Sequence, residues 1–465
     1  MTEAYDLVVI GGGPAGYVGA IRASQLGLRT ALVERDKLGG ACVHVGCIPT
    51  KSLLHTAELL QEMRNAAEVG ILAEGVRLDY PRAQARKDKV VSINHRGVEY
   101  LLRKHGITVV PGQARVLAPN RVQVTAPGGA TMDLETRHIL LATGSEPRSL
   151  PGVAIDNVRI LDSTGALRLP AVPGSVAILG AGAVGTEFAS IFAAFGSTVT
   201  LVEMMPSILP LEDEEVAGVL AKSLQRRGVT VRTGTSVAAV TPHGEASVRV
   251  TVQSGGTEEA IDADCVLVAV GRAPTTEGLG LEEIGIQVGR SGIVVNDRMQ
   301  TSVPSIYAAG DVIGGLLLAH VAYAEATVAV ETIAGQAPAP LAPHLMPRAT
   351  YSIPQVASVG LTEQQAREEG YEVSIGRFSF MANGRAAIIG QREGLVKIVC
   401  DSGPGEILGV HLVGPQVTEL LPEGVLAKSL EATVLELSQA VHAHPTLSEA
   451  MREAALAALG RALHG

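Results

Sequence analysis

The chain has 465 residues, of which 46% are hydrophobic and 18% charged, values typical of a globular protein with about three or four domains of ~100–200 residues. Its net charge of −10 argues against a nucleic-acid partner, because proteins that bind phosphate backbones concentrate positive charge. The N-terminus lacks a basic secretion signal, and no apolar stretch approaches the ~20 residues of a membrane span, so we expect a cytoplasmic protein with no membrane association.

The first predicted element is an apolar strand over residues 7–10 that runs into a glycine-rich turn. The turn reads Gly11-x-Gly13-x-x-Gly16, and a predicted helix and a second strand ending at Glu34 follow it. The first glycine permits a tight turn, the second lets a pyrophosphate approach the backbone, and the third allows close packing of helix and strand. The helix N-terminus attracts phosphates, and the carboxylate can accept hydrogen bonds from ribose hydroxyls. This combination predicts a dinucleotide-binding unit rather than an ordinary glycine-rich turn.

Two cysteines, Cys42 and Cys47, follow shortly after this unit. Four cysteines in so long a chain do not form a stabilising disulfide framework, so a close pair indicates redox or metal chemistry. Residues five apart in a regular helix have Cα atoms roughly 8–9 Å apart, beyond the ~7 Å limit of a disulfide, so a bridge requires a distorted helix. Gly46 and Pro49 permit such a distortion. The alternatives are two structural thiols or half of a metal site, and we expect no metal because no His or Cys cluster completes its ligands.

An internal repeat places a second fingerprint at Gly180-x-Gly182-x-x-Gly185. The spacing from its first glycine to an acidic strand end, Glu203, is the same as in the first copy. No Lys or Arg occurs from residue 169 to residue 221. Because a 2′-phosphate needs an Arg near the end of the second strand, whereas a free 2′-hydroxyl suits a carboxylate, the sequence predicts NAD rather than NADP. An Arg that reaches in from a distant segment is the alternative.

Each copy of the repeat later supplies an apolar strand that ends in a glycine turn, over residues 139–147 and 266–274. Proline-rich segments at 147–152 and 336–347 interrupt the periodicity and are candidate domain boundaries. The final segment of the chain alternates short strands with helices, which indicates a compact α+β domain.

The segment GGACVHVGCIPTK (residues 39–51) resembles the redox-active motif of the flavoprotein disulfide reductases, and the similarity extends over essentially the whole chain. Further motifs follow in family order, among them GGGPAG, ILLATGS, GAGAVGTE, VAVGRAP, TSVPSIYAAGD and HAHPTLSEAM. The resemblance implies an α/β fold with two Rossmann-like domains, which bind FAD and NAD, and a C-terminal α+β dimerisation domain. The implied divisions are an FAD-binding domain at 1–150, an NAD-binding domain at 151–275, a central domain completing the FAD site at 276–345, and an interface domain at 346–465.

The resemblance also implies roles for five chemically active residues. Cys47 would lie next to the flavin, Cys42 would exchange with the disulfide substrate, and Lys51 would sit near the flavin N5. His444 and Glu449 match the family's catalytic base and the carboxylate that orients it. The chemistry is consistent with this, because a thiolate is the nucleophile, so an imidazole must take and return the thiol proton while a carboxylate fixes its tautomer.

The cofactor contacts implied by the resemblance complete the expected site. Asp311 would hold the ribityl chain of FAD, and Glu187 would pair with Lys51 near the nicotinamide. The further FAD contacts would be made mainly through the backbone of Ala114, Thr143, Gly144 and Ala319. The NAD groove would be lined by Val237 and Gly271.

Within the family, the segments LLLAHVAYAEA (316–326) and FMANGRA (380–386) resemble dihydrolipoamide dehydrogenase. His44 replaces the Asn that is usual between the two cysteines. The expected substrate is dihydrolipoamide carried by the lipoyl-bearing acyltransferase of a 2-oxo acid dehydrogenase complex or by a glycine-cleavage lipoyl protein, and the expected assembly is a homodimer. The alternatives are an NADH-dependent reductase of another disulfide and a non-catalytic flavoprotein scaffold subunit.

Overall fold

The computed structural model describes residues 4–244 and 246–464, which divide into two compact units. The first unit contains the described residues up to Ser52 together with Arg82–Arg148 and Gly271–Leu341. The second unit contains Leu53–Pro81, Ser149–Val270 and the described residues from Ala342 onward. Each unit is therefore assembled from segments that are distant in the sequence.

The α-helices of the described residues are numbered in chain order. They are α1 (Pro14–Gln25), α2 (Gly40–Val45), α3 (Cys47–Arg64), α4 (Tyr80–Lys104), α5 (Ser163–Ala166), α6 (Ala183–Phe195), α7 (Glu214–Arg226), α8 (Ala319–Ile333), α9 (Glu363–Glu368), α10 (Gly384–Ile388), α11 (Val417–Ser429), α12 (Val434–Gln439) and α13 (Glu449–Ala458). Short 3₁₀ turns cover Ala66–Val69, Glu282–Ile284, Asp311–Ile313, Pro343–Leu345 and Phe380–Ala382.

The strands are numbered in the same way. They are β1 (Tyr5–Ile10), β2 (Thr30–Glu34), β3 (Thr108–Pro111), β4 (Gln113–Ala118), β5 (Arg121–Thr125), β6 (Thr131–Leu141), β7 (Ser145–Pro147), β8 (Ile160–Leu161), β9 (Ser175–Leu179), β10 (Thr198–Val202), β11 (Thr230–Arg232), β12 (Ser236–His243), β13 (Ser247–Ser254), β14 (Thr257–Ala263), β15 (Cys265–Val268), β16 (Arg272–Pro274), β17 (Val288–Gly289), β18 (Gly292–Ile293), β19 (Ile306–Ala308), β20 (Arg348–Thr350), β21 (Gln355–Gly360), β22 (Val373–Ser379), β23 (Leu395–Asp401) and β24 (Ile407–Gly414).

The first unit is built on a parallel sheet with the order β3-β2-β1-β6, and β19 also pairs with β6. Strand β1 lies between β2 and β6, so Val8 has Ala31 on one side and Ile139 on the other. The apolar run of β1 is buried on both faces, because Leu7 and Val9 pack with α1 and α8, whereas Val8 and Ile10 pack with β4 and β5. Strands β5 and β4 continue from the N-terminal half of β6 as an antiparallel extension.

The second unit repeats this arrangement with the parallel order β11-β10-β9-β15-β8 and a separate antiparallel sheet β12-β13-β14. The helices that follow the first strand of each copy begin in the same way. Gly13 caps α1 with φ −73° and ψ −170°, and Gly182 caps α6 with φ −72° and ψ −171°. The structure therefore confirms the internal repeat inferred from the two fingerprints.

The C-terminal part of the second unit is an antiparallel sheet with the order β20-β21-β24-β23-β22. Strand β24 is buried along its whole length, and α11 and α13 pack on the sheet. The pairing of β23 with β24 sets Lys397 opposite His411, and both side chains are buried. This arrangement confirms the expected α+β character of the C-terminal segment.

The predicted fold class, two Rossmann-like domains with a C-terminal α+β domain, agrees with these sheets. The chain passes between the units at five points, after Ser52, Pro81, Arg148, Val270 and Leu341, and the last three lie close to the proline-rich segments and to the second glycine turn. The division into four domains stays a prediction. Helix α4 was not predicted, because it is rich in charged residues and polar side chains such as Gln84, Lys87 and Asn94 occupy part of its buried face.

Candidate active site with two dinucleotide-binding turns, a dithiol and a histidine–carboxylate pair

Both dinucleotide-binding turns are shaped by glycines that no larger residue could replace. A Cβ atom on Gly16 would lie 1.7 Å from the carbonyl oxygen of Gly11, and one on Gly185 would lie 1.9 Å from the carbonyl oxygen of Gly180. Gly11 and Gly180 have φ values of 105° and 100°, which L-residues rarely adopt. Neither α1 nor α6 has a side-chain cap at its N-terminus, so the first N–H groups of both helices are suited to binding phosphates.

Two carboxylates form equivalent hydrogen bonds, that of Glu34 at the end of β2 and that of Glu203 just after β10. Glu34 accepts from the backbone N–H of Gly12 at 2.6 Å and from the N–H two residues after itself at 2.7 Å. Glu203 accepts from the N–H of Ala181 at 2.7 Å and likewise from the N–H two residues after itself at 2.9 Å. Each carboxylate is therefore fixed beside its glycine turn, with lone pairs left to accept hydrogen bonds from a ribose.

A pocket in the first unit is lined by four residues expected at the FAD site, Gly11, Glu34, Ala114 and Thr143. The hydroxyl of Thr143 donates to the carbonyl oxygen of Thr275 at 2.7 Å. Thr275 lines the same pocket, and its own buried hydroxyl has no hydrogen-bond partner among the residues that the structure describes. Because an unpaired buried hydroxyl is unfavourable, this pocket fits a ligand that carries hydrogen-bonding groups, such as FAD.

The carboxylate of Asp311, the expected ribityl contact, is fixed by two side chains of the first unit. The Ser145 hydroxyl donates to it, and the Arg272 guanidinium lies 3.7 Å from it. Arg272 also donates to the hydroxyl of Ser145 at 2.7 Å and to its carbonyl oxygen at 2.6 Å. Gly144 precedes Ser145 with φ 72°, and Ala319 is the first residue of α8. Ser145 and Arg272 were not predicted as site residues, although both belong to the glycine turns that follow the repeated strands.

The two cysteines of the dithiol lie on either side of a break in a helix. Helix α2 ends at Val45, Gly46 adopts φ −137° and ψ −114°, and α3 begins at Cys47. A Cβ atom on Gly46 would lie 2.9 Å from the carbonyl oxygen of Ala41, so the break requires glycine. The thiols of Cys42 and Cys47 are hydrogen-bonded to each other across it. The expected distortion of the helix at Gly46 is therefore confirmed.

The two sulphur atoms interact strongly with each other. The hydrogen bond to Cys47 and burial raise the pKa of Cys42, whereas the positive charge of Lys51 lowers it. The two thiols therefore lose their protons as a coupled pair, and the assignment of the first negative charge to Cys47 stays a prediction. Burial also raises the pKa of Cys265 to about 12 and that of Cys400, which makes these two thiols unreactive.

His44, which lies between the two cysteines, donates through Nε2 to the carbonyl oxygen of Leu38 at 2.9 Å. His95 on α4 donates through Nδ1 to the same oxygen at 2.9 Å, and the two ring centroids are 5.0 Å apart. Burial lowers the pKa of His44, which favours the neutral imidazole. The two histidines therefore attach the loop that precedes α2 to helix α4.

The residues expected at the nicotinamide are divided between the two units. Glu187 lies in α6, is buried, and accepts a hydrogen bond from the N–H of Tyr351 at 2.9 Å. Val237 lies near the start of β12, partly buried against the core of the second unit. Gly271 and Lys51 belong to the first unit. The pairing of Lys51 with Glu187 therefore stays a prediction.

An arginine from a later segment does reach the end of β10. Arg232 lies opposite Val202 in β11, and its carbonyl oxygen accepts from the N–H of Glu203 at 2.8 Å. Its guanidinium forms an ion pair with Glu259. Because this guanidinium is already paired and lies next to a carboxylate, the region does not favour a 2′-phosphate, in agreement with the prediction of NAD.

The start of α13 positions His444 and Glu449. Nδ1 of His444 donates to Oε1 of Glu449 at 2.9 Å, and Oε2 accepts from the N–H of Thr446 at 2.8 Å. This places the imidazole lone pair on Nε2, and the His444 side chain is 78% exposed. Burial opposes ionisation of Glu449, but the Thr446 N–H and His444 lower its pKa below the usual value. In contrast, the side chain of His442 is only 9% exposed and pairs with Glu423 at 2.8 Å.

Comparison with known proteins identifies the family. Residues 5–326 match the family described as pyridine nucleotide-disulphide oxidoreductase, and residues 346–455 match the dimerisation domain of the same family. The chain belongs to the pyridine nucleotide-disulphide oxidoreductases. It is 44% identical over 473 residues to dihydrolipoyl dehydrogenase from Bacillus subtilis (strain 168), with 100% of both chains covered. LpdA from Mycobacterium tuberculosis matches with a TM-score of 0.90 and 32% identity, over 97% of this chain and 98% of LpdA. The HOCl-induced flavoprotein disulfide reductase RclA from Escherichia coli, in a Cu(II) complex, matches with a TM-score of 0.87 and 30% identity, over 98% and 99% of the two chains.

As a pyridine nucleotide-disulphide oxidoreductase, the protein is an FAD- and NAD-dependent enzyme that acts on a dithiol or disulfide, and its dimerisation domain makes it a homodimer. The predictions of family, fold and cofactors are confirmed. In the part of the chain that the structure describes, no helix is long and apolar enough for a membrane span. The same residues include no group of three or more His, Cys, Asp or Glu side chains arranged to hold a metal ion.

Proposed function

We propose that the protein is a dihydrolipoyl dehydrogenase, which oxidises dihydrolipoamide to lipoamide and reduces NAD⁺. The observation that carries this proposal is the pair of contacting thiols, Cys42 and Cys47, formed by the helix break at Gly46 in the unit that also contains the first fingerprint. The identity of 44% to a dihydrolipoyl dehydrogenase over the full length of both chains supports the choice of substrate.

The first unit fits FAD, and the fingerprint of the second unit fits NAD. The pocket beside Gly11 would receive FAD, with the unpaired hydroxyl of Thr275 available to it and Asp311 held in place for the ribityl chain. Glu203 would accept hydrogen bonds from the adenosine ribose of NAD. FAD, when bound, accepts the two electrons of the dithiol and supplies a hydride to NAD⁺.

The dithiol and the histidine–carboxylate pair would carry out the exchange with the substrate. Nε2 of His444 takes the proton from one thiol of dihydrolipoamide, and Glu449 stabilises the resulting imidazolium. In the oxidised enzyme Cys42 and Cys47 form a disulfide, and the substrate thiolate attacks the sulphur of Cys42, so that a mixed disulfide forms and Cys47 leaves as a thiolate. The second substrate thiol then attacks the substrate sulphur of the mixed disulfide and gives its proton to the departing Cys42. Lipoamide is released, and the enzyme holds the reduced pair with the first proton on His444.

In the proposed mechanism, His444 acts across the interface of the homodimer. Its ring is 78% exposed in the single chain, with the lone pair on Nε2. We place His444 of one subunit at Cys42 of the other, so that each active site is completed by the dimerisation domain. In this arrangement the domains at 1–150 and 276–345 bind FAD, the domain at 151–275 binds NAD, and the domain at 346–465 forms the interface.

The partner would be a separate chain that carries a lipoyl group on a flexible arm. The two partner classes are the lipoyl-bearing acyltransferase of a 2-oxo acid dehydrogenase complex and a glycine-cleavage lipoyl protein. A reductase that uses NADH to reduce another disulfide is the second candidate function. It is supported by the likeness to the flavoprotein disulfide reductase RclA and by His44, which replaces the Asn usual in the motif.

Absorption spectroscopy tests the dithiol–flavin assignment. Two-electron reduction of the purified yellow protein should produce a long-wavelength band from charge transfer between the Cys47 thiolate and the flavin. Cys47→Ser should abolish the band, Cys42→Ser should retain it, and the buried control Cys265→Ser should behave as wild type. A colourless protein, or a band that persists in Cys47→Ser, would contradict the assignment.

A further inference from the structure

A pair of tyrosines joins α1 to α8 near the dithiol. The hydroxyl groups of Tyr17 and Tyr323 are 2.9 Å apart, and their ring centroids are 6.0 Å apart in an edge-to-face arrangement. Two hydroxyls that share one hydrogen bond use one of their two hydrogen atoms and keep the other for a third group. The pair therefore remains a hydrogen-bond donor.

The backbone brings this pair close to Cys42. Gly40, the first residue of α2, packs so tightly on Gly13 that a Cβ atom on Gly40 would lie 2.6 Å from the Cα atom of Gly13. Tyr17 lies one helical turn after Gly13 and donates its N–H to the Gly13 carbonyl oxygen at 2.9 Å. Cys42 lies two residues after Gly40. The first turns of α1 and α2 are therefore neighbours, and Tyr17 lies close enough to Cys42 for a thiolate there to raise its pKa.

Negative charge on the dithiol affects the ionisation of both tyrosine hydroxyls. Burial raises the pKa of Tyr17, the hydrogen bond to Tyr323 lowers it, and negative charge on Cys42 and Cys47 raises it further. Burial, the hydrogen bond and the same two thiolates all raise the pKa of Tyr323. For both phenols the effect of Cys42 is larger than that of Cys47. Both hydroxyls therefore stay neutral at physiological pH and remain hydrogen-bond donors.

We propose that Tyr17 and Tyr323 are positioning residues that stabilise the negative charge of the reduced Cys42–Cys47 dithiol through the dipole of their shared hydroxyl pair. This inference rests on the proposed function, in which that dithiol is the redox centre. A neutral donor suits this role, because it favours the thiolate without adding a cation that would pair with it permanently. Lys51 supplies a positive charge that acts on Cys42.

The contact between α1 and α8 does not depend on the two hydroxyls. Gly19 packs against Ala326, and Arg22 forms an ion pair with Glu331 at 2.6 Å. These contacts lie further along the same two helices and hold them in the same relative position. Replacement of either tyrosine by phenylalanine should therefore remove the hydroxyl and leave the helices in place.

The test measures the ionisation of the dithiol directly. The reduced protein is treated with iodoacetamide between pH 5 and pH 10, and mass spectrometry follows the alkylation rate of the peptide that contains Cys42 and Cys47. Only the thiolate reacts, so the rate gives the midpoint of ionisation of the pair. Tyr17→Phe and Tyr323→Phe should each raise this midpoint by about one pH unit, a roughly tenfold smaller thiolate fraction at neutral pH.

A double variant and a matched control make the result specific. If the hydroxyls act as one unit, the variant with both phenylalanines should show no larger shift than the greater of the single variants. Tyr307→Phe is the control, because Tyr307 is a buried tyrosine of the same unit whose hydroxyl is bonded to Gln300 at 3.3 Å. Its midpoint should equal that of wild type.

Midpoints in both single variants that match wild type, or that fall below it, would overturn the proposal. Each tyrosine is replaced separately, so a folding failure in one variant still leaves a test in the other. If the proposed function is wrong, the wild-type holoenzyme will not oxidise dihydrolipoamide. The alkylation midpoints do not depend on that reaction and would still test the role of the tyrosine pair.

Discussion

Replacement of Lys397 by Met should strongly destabilise the second unit. The ammonium group of Lys397 lies 3.0 Å from Asp213, 3.2 Å from Glu215 and 2.9 Å from Glu363. Its side chain is 4% exposed and that of Asp213 is 3% exposed, so water does not take the place of the missing cation. Met fills the space of the apolar part of the Lys397 side chain, so the loss of stability measures the removal of the positive charge.

The size of the effect follows from the burial of the cluster. Removal of one partner from a buried ion pair typically costs about 3–5 kcal/mol, because the remaining charge is buried without compensation. Glu215 and Glu363 are 34% and 25% exposed, so water can still solvate them in part. We therefore expect a loss near the lower end, about 3 kcal/mol of unfolding free energy at pH 7.

The effect should depend on pH in a defined direction. Burial opposes ionisation of both carboxyls, but His411 and Lys397 lower the pKa of Asp213 below its usual value, and Lys397 and Arg367 do the same for Glu363. A lowered pKa contributes stability that is complete above the unfolded pKa and is lost as the pH falls through the folded value. The difference between wild type and Lys397→Met should therefore shrink as the pH falls from 7 to 3.

Equilibrium urea unfolding followed by circular dichroism measures this difference. Arg249→Met is the control, because Arg249 forms an ion pair with Asp262 on an exposed surface, and it should unfold at the same urea concentration as wild type. Equal stability of Lys397→Met and wild type at pH 7, or a difference that grows on acidification, would refute this reasoning.

Three further predictions concern the cofactors and the dimer. The kcat/KM for NAD should exceed that for NADP by at least about tenfold, or ~1.4 kcal/mol, because Glu203 repels a 2′-phosphate; equal values would contradict the assignment. Gly16→Ala should lose FAD during gel filtration, because its Cβ atom would collide with the carbonyl oxygen of Gly11, whereas Gly97→Ala on open helix surface should retain it. Subunit exchange between inactive His444→Gln and inactive Cys42→Ser proteins should restore about a quarter of wild-type activity, because half of the dimers are mixed and each mixed dimer has one intact site. No recovery despite proven exchange would mean that His444 acts on the dithiol of the same chain.

The features predicted correctly from the sequence are local in the chain. Each fingerprint lies within a single strand–turn–helix–strand segment, and the spacing of its glycines carries the geometry directly. The helix break at Gly46 was predictable because the five-residue separation of Cys42 and Cys47 exceeds what a regular helix allows. The pairing of His444 with Glu449 likewise joins residues only five positions apart.

The features that the sequence did not predict join distant segments. Ser145, Arg272 and Asp311 form one network from three separate parts of the chain, and the pair of Tyr17 and Tyr323 spans two helices far apart in sequence. No periodicity or spacing indicates such contacts, because only the fold brings the partners together. Helix α4 was not predicted for another reason, since polar residues such as Gln84 and Lys87 stand on the face that the fold buries.

The most direct test of the proposed function compares two reactions of the wild-type holoenzyme in the same buffer. One is the reduction of NAD⁺ by dihydrolipoamide, and the other is the oxidation of NADH by glutathione disulfide. We expect kcat/KM for dihydrolipoamide to be at least about a hundredfold higher, or ~2.7 kcal/mol, and to vanish in Cys42→Ser. Equal or faster turnover with glutathione disulfide, or activity retained in Cys42→Ser, would contradict the assignment as a dihydrolipoyl dehydrogenase.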